Sequence, residues 1–183
     1  MVQALKKIIE LNDYDEASLK EALSSFKCYK EKEESSKDVI FFLQNEAIKM
    51  EKSGQTRTYL YLNDAEWEKG NIVIEGYFSI AIKNLYFNDD VSSIEKLYGE
   101  IPKSMPAYLI GQLARAEGTP SGFGKKMLKK ALEYICTASN SAGGRVVYLD
   151  CWLDRKKYYE SNGYKYLQDK KNNDKLIQMY RII

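Results

Sequence analysis

Residues 106–164 read as a strand, a glycine turn, an amphipathic helix, a second strand and a Tyr-bearing helix closed by Gly-Tyr. No other stretch constrains the fold as tightly, because strand–helix–strand order asks for a layered α/β sheet. The turn before the helix contains Gly122 and Gly124. N–H groups at a helix start lack intrahelical acceptors, the dipole is positive there, and glycine lets a ligand come close. Such a turn suits a phosphate. Lys125 and Lys126 follow it. Two cations in a first helical turn oppose the dipole, a small cost that a bound polyphosphate offsets; the alternative is that both face water.

The flanking segments follow from pattern. Asp13 or Asp15 caps a helix with Leu19, Ala22, Leu23 and Phe26 on one face. Residues 28–37 are polar and read as a loop. A helix from about Asp38 carries Val39, Phe42, Leu43, Ala47 and Met50 on its apolar side, and Gly54 stops it. Residues 56–63 (TRTYLYLN) and 72–87 are strand-like, with a polar turn over 64–71, so the two suit a hairpin. Residues 88–105 break the pattern with acidic residues, a short helix around 94–98, and Pro102; they read as a binding loop or a surface insertion. After the strand over 107–114, a helix over 125–138 buries Met127, Leu128, Ala131, Leu132 and Ile135. A loop over 139–144, a strand over 145–152, a helix over 154–162 ended by Gly163, and strands over 164–167 and 176–182 complete the chain.

Composition narrows the chemistry. With 183 residues and 44% hydrophobic content, one domain over 1–183 is the expectation. Residues 125–171 hold eleven Lys/Arg against five Asp/Glu, whereas the remainder holds 17 against 21. A basic C-terminal part suits an anionic ligand, and solvated helix faces give the same count. No apolar run approaches the ~20 residues that span a bilayer, and the first residues lack a signal-peptide core. Cys28, Cys136 and Cys151 have no metal-ligand spacing and read as reduced thiols of a cytoplasmic protein. There is no histidine. That excludes Ser-His-Asp and Cys-His catalysis and His-ligated zinc, leaving proton transfer to Tyr, Glu, Asp, Lys, Cys, a chain terminus or water.

The order and spacing resemble the GCN5-related N-acetyltransferase (GNAT) family over residues 56–182, and most closely over 107–164. The family's pyrophosphate turn, Gln/Arg-x-x-Gly-x-Gly/Ala, is matched by Thr119-Pro-Ser-Gly122-Phe-Gly124, with Thr119 at the usual Gln/Arg position. The sequence Tyr158-Tyr159-Glu-Ser-Asn-Gly163-Tyr164 matches the aromatic-Tyr-x-x-x-Gly-Phe/Tyr signature. The resemblance implies an α/β acyl-CoA N-acyltransferase fold: a mixed, mostly antiparallel sheet with splayed central strands, flanked by helices. It implies acetyl-CoA as cosubstrate and no metal. The pyrophosphate falls to Ser121, Gly122, Phe123, Gly124, Lys125 and Lys126, and the pantetheine arm to the backbone of Leu113, Ala114 and Arg115. Strands 107–115 and 145–152 are then expected to splay. Tyr159 is implied as the general acid that protonates the departing thiolate, which a phenol near pKa 10 can do. Cys151 is an alternative nucleophile, and Glu117 a candidate proton relay whose alternative is an ordinary exposed loop residue.

Direct acetyl transfer to a primary amine of unknown identity is the main expectation. The alternative is the toxin-type branch, which acetylates the α-amino group of aminoacyl-tRNA. It is echoed by VIFFLQNEAIKM (residues 39–50), Thr58-Tyr59, Glu75-Gly76-Tyr77-Phe78-Ser79 and Pro106-Ala-Tyr-Leu-Ile-Gly111-Gln112-Leu113-Ala114, with Gln112 where that branch has Arg. Charged tRNA is then the partner, with Lys129, Lys130, Lys156, Lys157, Lys170 and Lys171 available for phosphate contacts. A homodimer is common among such proteins, and the toxin-type branch pairs with an antitoxin. A non-catalytic CoA-binding module and an RNA-binding protein without chemistry are the remaining readings.

Overall fold

The computed structural model describes residues 4–29, 34–88, 103–170, 173 and 175–183. Its described strands, β1 (Leu5–Lys7), β2 (Arg57–Leu62), β3 (Ile74–Tyr86), β4 (Ser104–Arg115), β5 (Val146–Trp152), β6 (Lys165–Asp169) and β7 (Leu176–Ile182), form one seven-stranded sheet in the order β1-β2-β3-β4-β5-β7-β6. Four of the ladders are β1/β2, β2/β3, β5/β7 and β6/β7, all antiparallel, and β4/β5 is parallel. By its contacts the chain divides into two compact units, Met1–Ala81 with Gln112–Leu132, and Ile82–Gly111 with Glu133–Ile183.

The first unit begins with β1 (Leu5–Lys7), α1 (Ile8–Tyr14) and α2 (Glu16–Ser25). Asp15 caps α2 by accepting from the Ser18 N–H at 3.0 Å, and Leu19, Ala22, Leu23 and Phe26 are buried as their spacing requires. A helical run then passes through α3 (Glu34–Phe41), a π-helical turn (Phe42–Glu46) and α4 (Ala47–Lys52). It starts inside the segment expected to be a loop, since Glu34 in the first turn suits the dipole and the buried Ser36 hydroxyl donates to the Tyr29 carbonyl. The π turn adds a residue to one turn and rotates the face. Ser36, Leu43, Ala47 and Glu51 are therefore the buried residues of this run, while Val39, Phe42 and Met50 are half-buried. Gly54 follows at φ +74°.

The hairpin expected next is present: β2 (Arg57–Leu62) pairs with β3 (Ile74–Tyr86), Thr58 opposite Ser79 and Leu60 opposite Tyr77. Its connection is not wholly irregular. Asn63 accepts from the Glu66 N–H at 3.1 Å and so starts a one-turn helix, α5 (Asp64–Trp67). The end of β4 (Ser104–Arg115) and the start of α6 (Phe123–Ala142) complete this unit. Its core gathers Ile8, Leu19, Leu43, Leu60, Leu62 and Tyr77.

The second unit contains β5 (Val146–Trp152), a 3₁₀ turn (Leu153–Arg155), α7 (Lys156–Glu160), β6 (Lys165–Asp169) and β7 (Leu176–Ile182). Its core is Leu85, Phe87, Ala107, Val146, Tyr148, Leu167 and Tyr180. The β4/β5 ladder holds two register pairs, Tyr108–Val147 and Leu109–Tyr148, although each strand runs on. A ladder this short is what splayed central strands leave. Helix α6 is longer than its apolar period implied at both ends, taking in Phe123 before it and residues 139–142 after it, and Leu132 is half-buried. The expected loop shrinks to Gly143 and Gly144, at φ +78° and +87°, with the Tyr108 hydroxyl donating to the Gly143 carbonyl at 2.8 Å. The segment 88–105 lies mostly outside the described residues, as do the helix around 94–98 and Lys171.

Candidate active site

In the first unit, β4 ends at Arg115 and the chain turns through residues 116–122 into α6. Gly118 and Gly122 sit at φ +80° and +84°, a region where other residues are strained, and nothing lies within 4 Å of where a Cβ would stand on either. Pro120, Ser121 and Gly122 are exposed. Open space over left-handed glycines, first-turn amides and the exposed Lys125 together fit a diphosphate. Phe123 takes a different role in its side chain: it is buried, its ring edge-on to Tyr61 at 5.4 Å between centroids, and its N–H donates to the Pro120 carbonyl at 3.3 Å. Lys126 lies over the rings of Tyr61 and Phe123, 5.8 and 6.0 Å from their centroids. Gly76 explains itself in the same place. A Cβ there would stand 2.6 Å from Met127 Sδ and 3.0 Å from both the Ala114 carbonyl oxygen and Phe123 Cε1. Strand β3 therefore approaches β4 and α6 as closely as glycine alone permits.

Thr119, which replaces the side chain the resemblance expects, is held by its neighbours. Its hydroxyl donates to the Ala116 carbonyl at 2.7 Å, and Arg115 Nη1 donates to its carbonyl at 2.7 Å and its hydroxyl at 3.2 Å. Nothing in the one-dimensional pattern marks that pair, since a strand residue reaches round the turn that follows it. The backbone at the end of β4 is partly committed. The Arg115 carbonyl accepts from the Tyr29 N–H at 2.8 Å, Ala116 N–H donates to Glu75 at 2.8 Å, and Glu117 N–H donates to Lys27 at 2.9 Å. Of the three residues expected to pair with a pantetheine arm, Arg115 thus has its carbonyl occupied by Tyr29. Ala114 is buried, and Leu113 is half-buried.

In the second unit, Tyr159 is placed by a helix stop. Gly163 N–H donates to the Glu160 carbonyl at 3.0 Å and Tyr164 N–H to the Tyr159 carbonyl at 3.1 Å, with Gly163 at φ +83°. These are the two bonds of a Schellman motif, which also calls for side-chain contact between the residue after the glycine and the one that accepts the longer bond. That contact is Tyr164 on Tyr159, edge-on at 5.8 Å. The Tyr-x-x-x-Gly-Tyr spacing is thereby a backbone device that locks Tyr159. Arg181 Nη1 donates to the Asn162 carbonyl at 3.1 Å and the Asn162 amide to the Tyr158 carbonyl at 2.7 Å, fastening the same helix end. Tyr158 stands edge-on to Tyr159 at 5.1 Å. Burial pushes the Tyr159 phenol well above its usual value; Cys151, Tyr158 and Tyr164 push the same way, and Arg155 opposes them. The group therefore keeps its proton through the neutral range, where that proton is available for donation.

Cys151 does not have the character of a nucleophile. It is buried, and burial, then Asp150 and Asp154, push its thiol up to about 12, so the thiolate is suppressed. Glu117 is exposed on the turn. Lys129 and Lys157 are exposed; Lys156 lies 4.6 Å from the Tyr166 ring centroid, and Lys170 pairs with Asp150. No group of His, Cys, Asp and Glu among the described residues can hold a metal ion, and no helix among them is long and apolar enough to cross a membrane.

The sheet order, the short parallel ladder at its centre and the flanking helices define the GNAT, or acyl-CoA N-acyltransferase, fold. Solved structures of bacterial toxins share it. AtaT complexed with acetyl-methionyl-tRNAfMet superposes with a TM-score of 0.70 at 16% identity, covering 96% of this chain and 92% of that one. A tyrosine-to-phenylalanine mutant of KacT gives 0.70 at 16%, covering 96% and 94%. A tyrosine-to-phenylalanine mutant of AtaT, bound to the C-terminus of the antitoxin AtaR and acetyl-CoA, gives 0.65 at 15%, covering 96% and 91%. No protein-family model and no curated protein sequence matches the chain. At these identities the likeness is one of fold.

Proposed function

We propose that the chain is an acetyl-CoA-dependent N-acetyltransferase of the toxin type, acting in the cytoplasm on the α-amino group of aminoacyl-tRNA. The observation that carries the transferase reading is Tyr159, a protonated phenol locked by the Schellman turn at residues 159–164. The fold likeness, which runs over nearly the whole of both chains and includes a toxin complexed with an acetylated aminoacyl-tRNA, favours a charged tRNA over an unspecified primary amine. An antitoxin partner and a homodimer belong to the same reading.

Bound acetyl-CoA supplies a thioester whose acetyl group an amine can take. The residues of this chain act around it. First-turn amides and glycines at 121–124, with Lys125 and Lys126, offset the diphosphate charge. Leu113, Ala114 and the Arg115 N–H offer strand-like hydrogen bonds to the pantetheine amides. Tyr159 Oη gives its proton to the departing sulfur as the C–S bond breaks, and recovers one from the amine nitrogen, directly or through water, once the amide C–N bond has formed. With its phenol raised by burial, that proton moves only as negative charge collects on the sulfur. Cys151 stays a thiol and forms no acyl-enzyme.

The test is transfer of labelled acetyl from acetyl-CoA to charged tRNA. Label in the aminoacyl end, lost with Tyr159→Phe, supports the reading. Label in protein or a small amine instead moves the enzyme to the general amine class, and no label with tight acetyl-CoA binding makes it a binding module.

A further inference from the structure

We infer that Arg115 is a positioning residue of the proposed acetyl-CoA site, shaping the 116–122 turn with its side chain, and that Tyr29 is the platform that holds it. This rests on the acetyl-CoA reading above. The guanidinium does two things at once. Through Nη1 it donates to the Thr119 carbonyl at 2.7 Å and the Thr119 hydroxyl at 3.2 Å. Its face lies on the Tyr29 ring, with Cζ 3.6 Å from the centroid. A planar, delocalised cation can lay its face on the ring while its in-plane N–H groups donate, an arrangement an ammonium, which has no flat face, does not reproduce.

The backbone repeats the link. Tyr29 N–H donates to the Arg115 carbonyl, Glu117 N–H donates to the Lys27 carbonyl, and Cys28 bridges Ala116 in antiparallel fashion. Residues 27–29 thus pair with residues 115–117, at and just past the end of β4, through one isolated antiparallel bridge. Tyr29 is 41% exposed, so burial does not explain its ring; covering Arg115 does. Two consequences bear on an anion. The guanidinium satisfies the Thr119 carbonyl and so fixes the turn that leads into the helix, and it brings a positive charge to that turn. With Thr119 in the position that the resemblance gives to Gln or Arg, Arg115 braces the turn from four residues earlier.

Isothermal calorimetry with acetyl-CoA tests this on the full chain, alongside melting temperatures of the same variants. Arg115→Met should weaken acetyl-CoA binding about 10-fold or more, about 1.4 kcal/mol, and Arg115→Lys should recover only part of the loss, because an ammonium keeps the charge but not the planar stacked fork. Tyr29→Ala should weaken binding too, and Tyr29→Phe, which keeps the ring, should restore it. A merely structural arginine would lower the melting temperature while the folded variant bound acetyl-CoA within twofold of wild type; that result overturns the inference. Should Arg115→Met fail to fold, the Tyr29 pair decides alone: equal binding by Tyr29→Ala and wild type overturns it. Wild-type protein that binds no acetyl-CoA removes the cosubstrate reading itself, and this inference with it.

Discussion

Tyr159, the acid of the proposed transfer, sits in surroundings that make it a weaker acid. Burial and three neighbours that resist a second negative charge hold the proton on the phenol, and Arg155 alone pulls the other way. Removing the hydroxyl should therefore cost rate and little else: Tyr159→Phe is expected to lower kcat about 10²–10⁴-fold, the usual span for a general acid. Its acetyl-CoA affinity by calorimetry should stay within twofold. The pH–rate profile carries a second signature. Because the phenol is raised above its ordinary value near 10, loss of this acid should not bend the profile downward below pH 10. A falling limb near pH 8 that vanished in Tyr159→Phe would contradict the raised phenol, whereas full activity in Tyr159→Phe would overturn its role as the acid. Tyr159 was legible in the sequence because one glycine at a set distance marked it. Arg115 was legible only as backbone; its side chain's grip on Thr119 and Tyr29 depends on a turn and an isolated bridge that leave no periodic trace.

At the scale of single elements, the close packing of β3, β4 and α6 rests on Gly76. Adding one methyl there meets a methionine sulfur at 2.6 Å, which can swing away, and a backbone carbonyl at 3.0 Å, which cannot. Gly76→Ala should destabilise by about 1–3 kcal/mol in urea titrations, the range for overpacking. Since Phe123 is the third atom in the way, acetyl-CoA affinity should fall as well. The helix stop makes a parallel case: Gly163→Ala forces a Cβ into left-handed backbone, 3.1 Å from Arg181 Nη1, at a cost of about 1–2 kcal/mol. Elements with a clean period were legible, α6 and the β2–β3 hairpin above all. The π turn at Phe42–Glu46 was not, because one extra residue shifts the apolar face without changing composition. It turned Glu51 inward, where Arg57 lies 3.3 Å away and the carboxylate accepts from the Thr58 N–H at 2.7 Å.

For the whole molecule, the absence of histidine and the buried phenols set the response to pH together. No side chain with an ordinary pKa between 5 and 8 is present, so stability should be flat across that span. Above it, the Cys151 thiol and the phenols of Tyr77, Tyr148, Tyr159 and Tyr164 are all raised, chiefly by burial, with Cys151 and Tyr148 each at about 12. The unfolded chain would release these protons near 9 for the thiol and 10 for the phenols, while the folded chain keeps them. The folded state then binds more protons, so stability should fall as pH climbs from about 9 through 12. Urea midpoints at pH 6, 8, 10 and 11 measure it, and a midpoint that held at pH 11 would contradict the burial of these groups.

The Schellman turn also limits which changes of length the chain tolerates. Glu160 and Ser161 are exposed and free to vary in kind, but their number is not free. One residue added between Tyr159 and Gly163 would turn the tyrosine by about 100° around the helix axis while the glycine stop stayed where it was. A family of homologous chains built on this turn can drift in almost every letter of that interval and still keep its spacing, so alignment gaps should be missing there even where identity has fallen away.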